Sequence, residues 1–133
     1  MKNTFELDII TPTDTFSFTE VEYLRAPSTE GLFGVMKGHI PSIIALDIGE
    51  IKIIRNNQEK LFATSGGFAD INNNKVVLVV ETAEDYNSID LSRAQESLDR
   101  AVKHLNETDV DMKRAMDAIK RAKNRISISK KVN

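Results

Sequence analysis

The sequence predicts an α+β protein: a module of eight to ten short β-strands, closed as a sandwich or barrel, followed by an antiparallel hairpin of two helices. Three observations carry this. Apolar and polar residues alternate with period two through the first part of the chain, and apolar residues recur every three or four through the last. The change of period falls within Asn87-Ser88-Ile89-Asp90-Leu91-Ser92-Arg93, so residues 1–86 and 87–133 are expected to form two structural units. Charge divides at nearly the same place: residues 88–133 carry 11 Lys/Arg against 7 Asp/Glu, and residues 1–87 carry 7 against 13. An acidic β-module and a basic hairpin either attract each other when docked or meet different partners.

Phe5-Glu6-Leu7-Asp8-Ile9 alternates as a half-buried strand does, and Thr11-Pro12-Thr13-Asp14 ends it, because proline cannot donate to a ladder. Phe16-Ser17-Phe18 and Val21-Glu22-Tyr23-Leu24 continue the pattern. Residues 31–41 then hold Gly31, Gly34, Gly38 and Pro41, the composition of a tightly turning loop with a short strand inside it. Residues 42–46 and 50–55 follow as strands, with Gly49 between them. Asn56-Asn57 is a hairpin-turn candidate because asparagine tolerates positive φ, and residues 60–64 make the return strand. Ser65-Gly66-Gly67-Phe68 breaks the alternation as a bulge or corner, and Asn72-Asn73-Asn74 is a second turn. The apolar run 76–80 reads as a strand buried on both faces.

Leu91, Ala94, Leu98, Ala101 and Leu105 are spaced 3, 4, 3, 4, and Met112, Ala115, Ile119, Ala122 and Ile126 repeat that spacing. Each set makes one apolar stripe on a helix. Asn106-Glu107-Thr108-Asp109 is the short connection, with Thr108 as the cap of the second helix and Asp111 in a weaker capping-box role. A short loop makes the two helices antiparallel. Alanine at alternate stripe positions allows close approach but buries little area, at about 0.8 kcal/mol per CH₂, so the hairpin is expected to be marginal alone.

Several function classes are excluded on composition. The run 76–80 is far too short to span a bilayer, and the first residues hold no apolar signal core, so no export signal is expected. The absence of cysteine removes disulfides, thiolate metal sites and a cysteine nucleophile, which fits the cytoplasm. Basic residues are interspersed with acids and lack aromatic neighbours, so no nucleic acid is expected. His39 and His104 lie in different modules without metal-ligand spacing, so no metal is expected. Ser65 lacks the strand–elbow–helix context of a hydrolase nucleophile, and no GxxxxGK[ST] loop is present. Glu81, Glu84 and Asp85 cluster without a second group placed for acid–base work. No catalytic constellation emerges.

One cluster of charges stands out. Asp90 and Arg93 are three apart in the first turn of helix one, and Arg121 and Arg125 are four apart on helix two, so each pair shares a face. An antiparallel hairpin brings the end of helix two beside the start of helix one. Three guanidiniums near a helix N-terminus suit a polyphosphate. The other reading is an Asp90–Arg93 pair within one helix and two solvated arginines.

The chain resembles the epsilon subunits of bacterial F-type ATP synthases. The likeness rests on Gly31-x-x-Gly34-Val35-x-x-Gly38-His39-x-Pro41, Ser65-Gly66-Gly67-Phe68, Thr82-Ala83-Glu84, Ile89-Asp90-Leu91-Ser92-Arg93-Ala94 and Arg121-Ala122-x-Asn124-Arg125, in this order. It implies a β-sandwich of about ten strands over residues 1–86, binding the gamma subunit and the c-ring, and a regulatory hairpin over 87–133. It implies a rotor subunit that couples proton-driven rotation to ATP synthesis and has no catalytic residues of its own. Its hairpin would reach the alpha/beta catalytic head and inhibit ATP hydrolysis. The protein would lie peripherally at the cytoplasmic face of the cell membrane, meeting the membrane only through the complex. By the same resemblance Glu30, Gly31, His39 and Pro41 face gamma and the c-ring, while Leu32 and Lys37 depart from the common pattern.

The motif 89–94 is similar to one that binds ATP in some members. It implies Glu84, Ile89, Asp90, Arg93, Ala94, Arg121 and Arg125 as ATP-binding residues, with ATP as a regulatory ligand and no required cofactor. Glu84 and Asp90 would take the adenine–ribose side, Ile89 and Ala94 the flat contact with the base, and the arginines the phosphates. Arg100 matches a basic position, and His104 replaces one that is often arginine, which would make binding weaker or pH-sensitive. The alternative is a structural rotor adaptor without nucleotide binding.

Overall fold

A computed structural model describes residues 3–107 and 110–132. Ten strands form in chain order: β1 (Phe5–Ile10), β2 (Thr15–Val21), β3 (Tyr23–Ser28), β4 (Gly31–Val35), β5 (Ser42–Leu46), β6 (Gly49–Arg55), β7 (Gln58–Thr64), β8 (Gly67–Ile71), β9 (Lys75–Val80) and β10 (Ala83–Asp85). A 3-10 turn over Tyr86–Ser88 leads into α1 (Leu91–His104) and α2 (Met112–Val132). Strand pairing runs β10-β7-β6-β3-β5-β8-β9-β1-β2, with β4 paired to β3.

The sheet doubles over to make the sandwich. β3 and β5 are joined by the single pair Ser28↔Leu46, which leaves the chain of strands free to fold back there. The two ends of the order then meet across the core. Phe16 and Phe18 of β2 stand 5.2 Å and 6.0 Å, centroid to centroid, from the ring of Phe62 on β7. Both contacts are edge-to-face, the arrangement that aromatic quadrupoles favour. Leu7, Ile9, Leu24, Ile51, Ile53, Phe62, Ile71 and Leu78 are fully buried between the layers.

The turns follow from residues able to hold unusual φ. Asn56 (φ 51°) and Asn57 (φ 59°) close a two-residue turn between Arg55 and Gln58, the geometry of a type I′ hairpin. The return strand starts at Gln58 rather than at residue 60, because the polar Gln58-Glu59 pair still completes the ladder. Ser65-Gly66-Gly67-Phe68 is a corner between β7 and β8. Gly67 has φ 151°, and a Cβ there would strike the carbonyl oxygen of Val79. A bulge lies elsewhere. Phe5 pairs with Val21 and Leu7 with Phe18, so β2 carries one extra residue, beside Glu20 at φ 55°.

The expectation of a strand buried on both faces at 76–80 is corrected. Val76, Leu78 and Val80 are buried, but Val77 and Val79 are half-buried, since β9 lies inside its layer with one face turned outward.

In the hairpin, α1 packs on α2, and α2 lies against β6, β7 and the 3-10 turn. Ile128 of α2 joins Leu61, Ala63 and Ile89 in a small apolar cluster flanked by Tyr86. The α2 stripe is buried at Ala115, Ile119, Ala122 and Ile126 and exposed at Met112. On α1 the stripe is buried at Ala94, with Leu91 exposed. The cap of α2 is Asp111, whose Oδ1 accepts the Arg114 amide at 3.2 Å. Thr108, the expected cap, lies outside the described residues. Among the described residues no helix is long and apolar enough to cross a membrane.

Candidate functional site

β10 pairs with β7 through Ala83↔Thr64, Glu84↔Ala63 and Asp85↔Phe62, and this short ladder sets Glu84 beside α2. Arg125 meets it at two points. Its Nε lies 2.8 Å from Oε1, and Nη2 donates to Oε2 at 3.1 Å. The Nε approach is an ion-pair contact, off the line of a hydrogen bond. Both side chains are about two-thirds or more covered.

Asp90 departs from its expected place. It precedes α1 as the N-cap, with extended backbone, and its Oδ1 accepts the Arg93 amide at 3.1 Å. The carboxylate turns back to satisfy an otherwise open amide of the first turn, so it meets the backbone of Arg93, and no Asp90–Arg93 ion pair is among the contacts of the described residues.

Two adjoining cavities lie here, the first between the hairpin and the sandwich edge and the second between α1 and α2. The first, about 310 Å³, is walled by Glu84, Arg121 and Arg125, together with Thr64, Ser65, Thr82, Asn124 and the small residues Ala63, Ala118 and Ala122. The second, about 390 Å³, is polar and walled by Arg93, Glu96, Ser97, Arg100 and Arg125. Ser97 and Arg125 belong to both. Hydroxyls line one side of the first: Thr64 Oγ1 donates to the Thr82 carbonyl at 3.1 Å, and Thr82 Oγ1 to Ser65 Oγ at 2.8 Å. In the second, Arg100 donates to Ser97 Oγ at 3.1 Å.

Of the expected site residues, Glu84, Arg121 and Arg125 meet at one cavity, and Arg93 and Arg125 at the other. Ile89, Asp90 and Ala94 are not on these walls. Ile89 packs under α2, and Ala94 is fully buried. Thr64, Ser65, Thr82, Ser97 and Asn124 were not legible as site residues, because Thr64 and Thr82 are 18 positions apart and meet through the β7–β10 pairing. His104 sits at the C-terminal end of α1, with Nδ1 2.9 Å from Glu107 Oε2, and lines a separate cavity with Asp111, Arg114 and Arg121. A slot with small apolar and hydroxyl walls, opening on three arginines, has the chemistry to take a flat polar ring attached to a polyanion.

Of the residues expected to face gamma and the c-ring, Glu30, Gly31 and Pro41 are exposed and His39 is half-buried. Ser28 Oγ donates to the Gly31 carbonyl at 2.6 Å and accepts the Glu30 amide at 3.1 Å, fixing the turn at Gly31 (φ 125°). His39 Nδ1 lies 2.8 Å from the Ile40 carbonyl. Near them in sequence stand exposed apolar side chains: Leu32, already noted as a departure from the common pattern, and Met36, Ile40 and, on β5, Ile43, which nothing in the sequence marked.

Comparison with known proteins agrees with this architecture. The family model of the ATP synthase delta/epsilon chain, beta-sandwich domain, matches residues 4–86, and that of the long alpha-helix domain matches residues 87–130. The ATP synthase epsilon chain of Staphylococcus haemolyticus (strain JCSC1435) is 40% identical over 129 residues, covering 96% of this chain and 97% of its own length. That of Staphylococcus aureus (strain JH9) is 38% identical over 130 residues, with the same 96% and 97% coverage. Among solved structures, a chain of the Euglena gracilis mitochondrial ATP synthase (OSCP/F1/c-ring) aligns with a TM-score of 0.80 at 19% identity, covering 93% of this chain and 79% of that one. A chain of the Tetrahymena thermophila mitochondrial ATP synthase central stalk/c-ring gives 0.66 at 19% identity, covering 98% and 97%. At that identity the structural likeness speaks for the fold. The sequence matches, which span nearly the whole chain and both of its halves, go further: this chain belongs to the delta/epsilon family of ATP synthase, as an epsilon subunit of the bacterial F-type enzyme.

Proposed function

We propose that this subunit works in the central stalk, coupling proton-driven rotation to ATP synthesis, and that its hairpin inhibits ATP hydrolysis under the control of bound ATP. The observation that carries the nucleotide part is the placement of Arg93, Arg100 and Arg125 around one polar cavity that adjoins, at Ser97, the slot beside Glu84. A triphosphate is held by several guanidinium forks at once. The slot, with its alanines and hydroxyls, takes the adenine and ribose, with Glu84 on that side, while Asp90, expected there too, stays the cap of α1. Arg93, Arg100 and Arg125 take the phosphates, with Arg121 reaching them from the wall of the slot, and Ile89 and Ala94 serve packing instead of contact with the base.

ATP bound in this way bridges α1, α2 and β10, and so favours the hairpin folded against the sandwich. A ligand that binds one state alone stabilises it by RT ln(1 + [L]/Kd), about 1.4 kcal/mol at ten times Kd. That shifts a balanced equilibrium roughly tenfold. When ATP falls, the hairpin opens toward the alpha/beta catalytic head.

Gamma and the c-ring meet the sandwich, with Glu30, Gly31, His39 and Pro41 among the contacts and Leu32, Met36 and Ile40 as their apolar surround. The structural relatives come from assemblies described as F1/c-ring and central stalk/c-ring, which supports these partners. The subunit then lies peripherally at the cytoplasmic face of the cell membrane, held there by the complex.

A second reading, a rotor adaptor that binds no nucleotide, is favoured by the Glu84–Arg125 pair, which already neutralises the arginine shared by both cavities. Calorimetric titration of the isolated protein with ATP separates the two. Saturable heat supports the nucleotide site. No heat at millimolar ATP, with normal co-purification with gamma, leaves the adaptor.

A further inference from the structure

The attachment of α2 to the sandwich has a second component, which borders the first cavity at Asn124 alone. Lys120 Nζ lies 2.7 Å from Asp47 Oδ2, Asn124 Nδ2 donates to the Gly49 carbonyl at 2.8 Å, and Lys131 Nζ lies 2.6 Å from Glu50 Oε2. At 3.6 residues per turn, positions 120, 124 and 131 fall within roughly 40° of one line along the helix. Their three partners all lie within residues 47–50, at the turn from β5 to β6. One helical stripe of donors therefore meets one short run of acceptors.

The run is firmly set in the sandwich. Glu50 is 13% exposed and also receives Arg25 Nη2 of β3 at 2.9 Å. The Lys120–Asp47 pair is more open, at 51% and 38% exposure. Asp47, Glu50, Lys120 and Lys131 are on the walls of neither cavity, so this seam forms without a ligand. The apolar contact beneath α2 is small, formed around Leu61, Ala63, Ile89 and Ile128, and α1 packs on α2. What releases α2 therefore releases the hairpin.

We propose that the stripe Lys120/Asn124/Lys131 and the turn at residues 47–50 form a salt-sensitive latch that holds the hairpin on the sandwich independently of any ligand. A lone exposed ion pair contributes little. Here two pairs and a hydrogen bond share one rigid helix face, and one carboxylate is largely desolvated, so the set acts as a network. Ionic strength is the physical control, because screening reaches the exposed Lys120–Asp47 pair first.

The chain contains no cysteine, which makes thiol labelling clean. Ala63→Cys places the sole thiol in the cluster under α2, where Ala63 is 3% exposed. The rate at which a disulfide reagent labels it, measured without nucleotide, reads the fraction of time α2 is lifted. Raising salt from about 0.1 M to about 1 M, which shortens the screening length from about 10 Å to about 3 Å, is expected to speed labelling. Lys120→Asp or Asp47→Lys alone should speed it about fivefold, the factor for an exposed pair of about 1 kcal/mol, and the two together should return it to within about twofold of the parent. A thiol at Ala69→Cys, fully buried in the sandwich core, should keep one rate throughout. Labelling that ignores salt overturns the latch, as does a double swap no slower than the faster single. Equal acceleration at positions 63 and 69 overturns it too, because that is general loosening. With no nucleotide present, the result stands apart from whether ATP binds.

Discussion

Glu84 of β10 and Arg125 of α2 stand 41 positions apart and meet in contacts of 2.8 Å and 3.1 Å, tying the last strand to the far helix of the hairpin. The same guanidinium forms part of both cavities, so a phosphate that engages its fork competes with the carboxylate for it. Two properties, docking of the hairpin and affinity for an anion, thus converge on one side chain.

A double-mutant cycle over Glu84→Gln and Arg125→Ala, without nucleotide, is expected to give a coupling of about 0.5–1 kcal/mol in urea unfolding. Arg125→Ala should also weaken ATP binding about tenfold or more in calorimetry, with the circular dichroism spectrum unchanged. Loss of helix signal in that variant would mean that Arg125 serves the fold alone.

The sandwich should be most sensitive at the ring that joins its two layers. Phe62 is fully buried and carries edge contacts to both Phe16 and Phe18. Phe62→Ala is expected to lower stability by about 3–5 kcal/mol, with Phe62→Leu costing clearly less. Chemical denaturation followed by far-ultraviolet circular dichroism measures both. A loss under about 1 kcal/mol would contradict the placement of this ring at the centre of the core.

Acid should loosen two seams. The Ser17 hydroxyl, and then Lys75, hold the Asp8 carboxyl below its ordinary value of 3.8. The hydrogen bond from Lys120 holds Asp47 below it too, outweighing partial desolvation. A folded value below the unfolded one favours the charged form on folding. The stabilisation is therefore complete above pH 3.8 and is lost as pH falls through the lower folded values. Thermal midpoints measured from about pH 5 downward should fall, and Asp8→Asn and Asp47→Asn should each flatten part of that fall while lowering the plateau.

The change of period near Asn87 marked where strands give way to helices, because burial of one face imposes period two on strands and about 3.6 on helices. Asn56-Asn57 announced its turn through its tolerance of positive φ, and the α2 stripe its buried face. Features set by pairing between distant strands left no local trace. Nothing near Val77 or Val79 in sequence says that the outer face of β9 is half open. The meeting of Thr64, Ser65 and Thr82 depends on the β7–β10 ladder, and the turn at residues 47–50 finds α2 across more than seventy positions. Asp90 and Asp111 show a different difficulty. An acidic residue at a helix start reads equally well as a cap or as an ion-pair partner, and in both cases the backbone amide prevails.

β1 pairs in parallel with β9, matching Leu7 with Val76 and Ile9 with Leu78. On a ribosome adding about 5–20 residues per second, the second strand appears roughly 4–14 s after the first. Through that interval Leu7 and Ile9, both fully buried at the end, have β2 as their nearby strand and a bare edge on the other side. Within this sheet the first strand in chain order is thus among the last to be completed. A nascent chain is therefore exposed to mispairing along β1, where chaperone binding during synthesis has the most to protect.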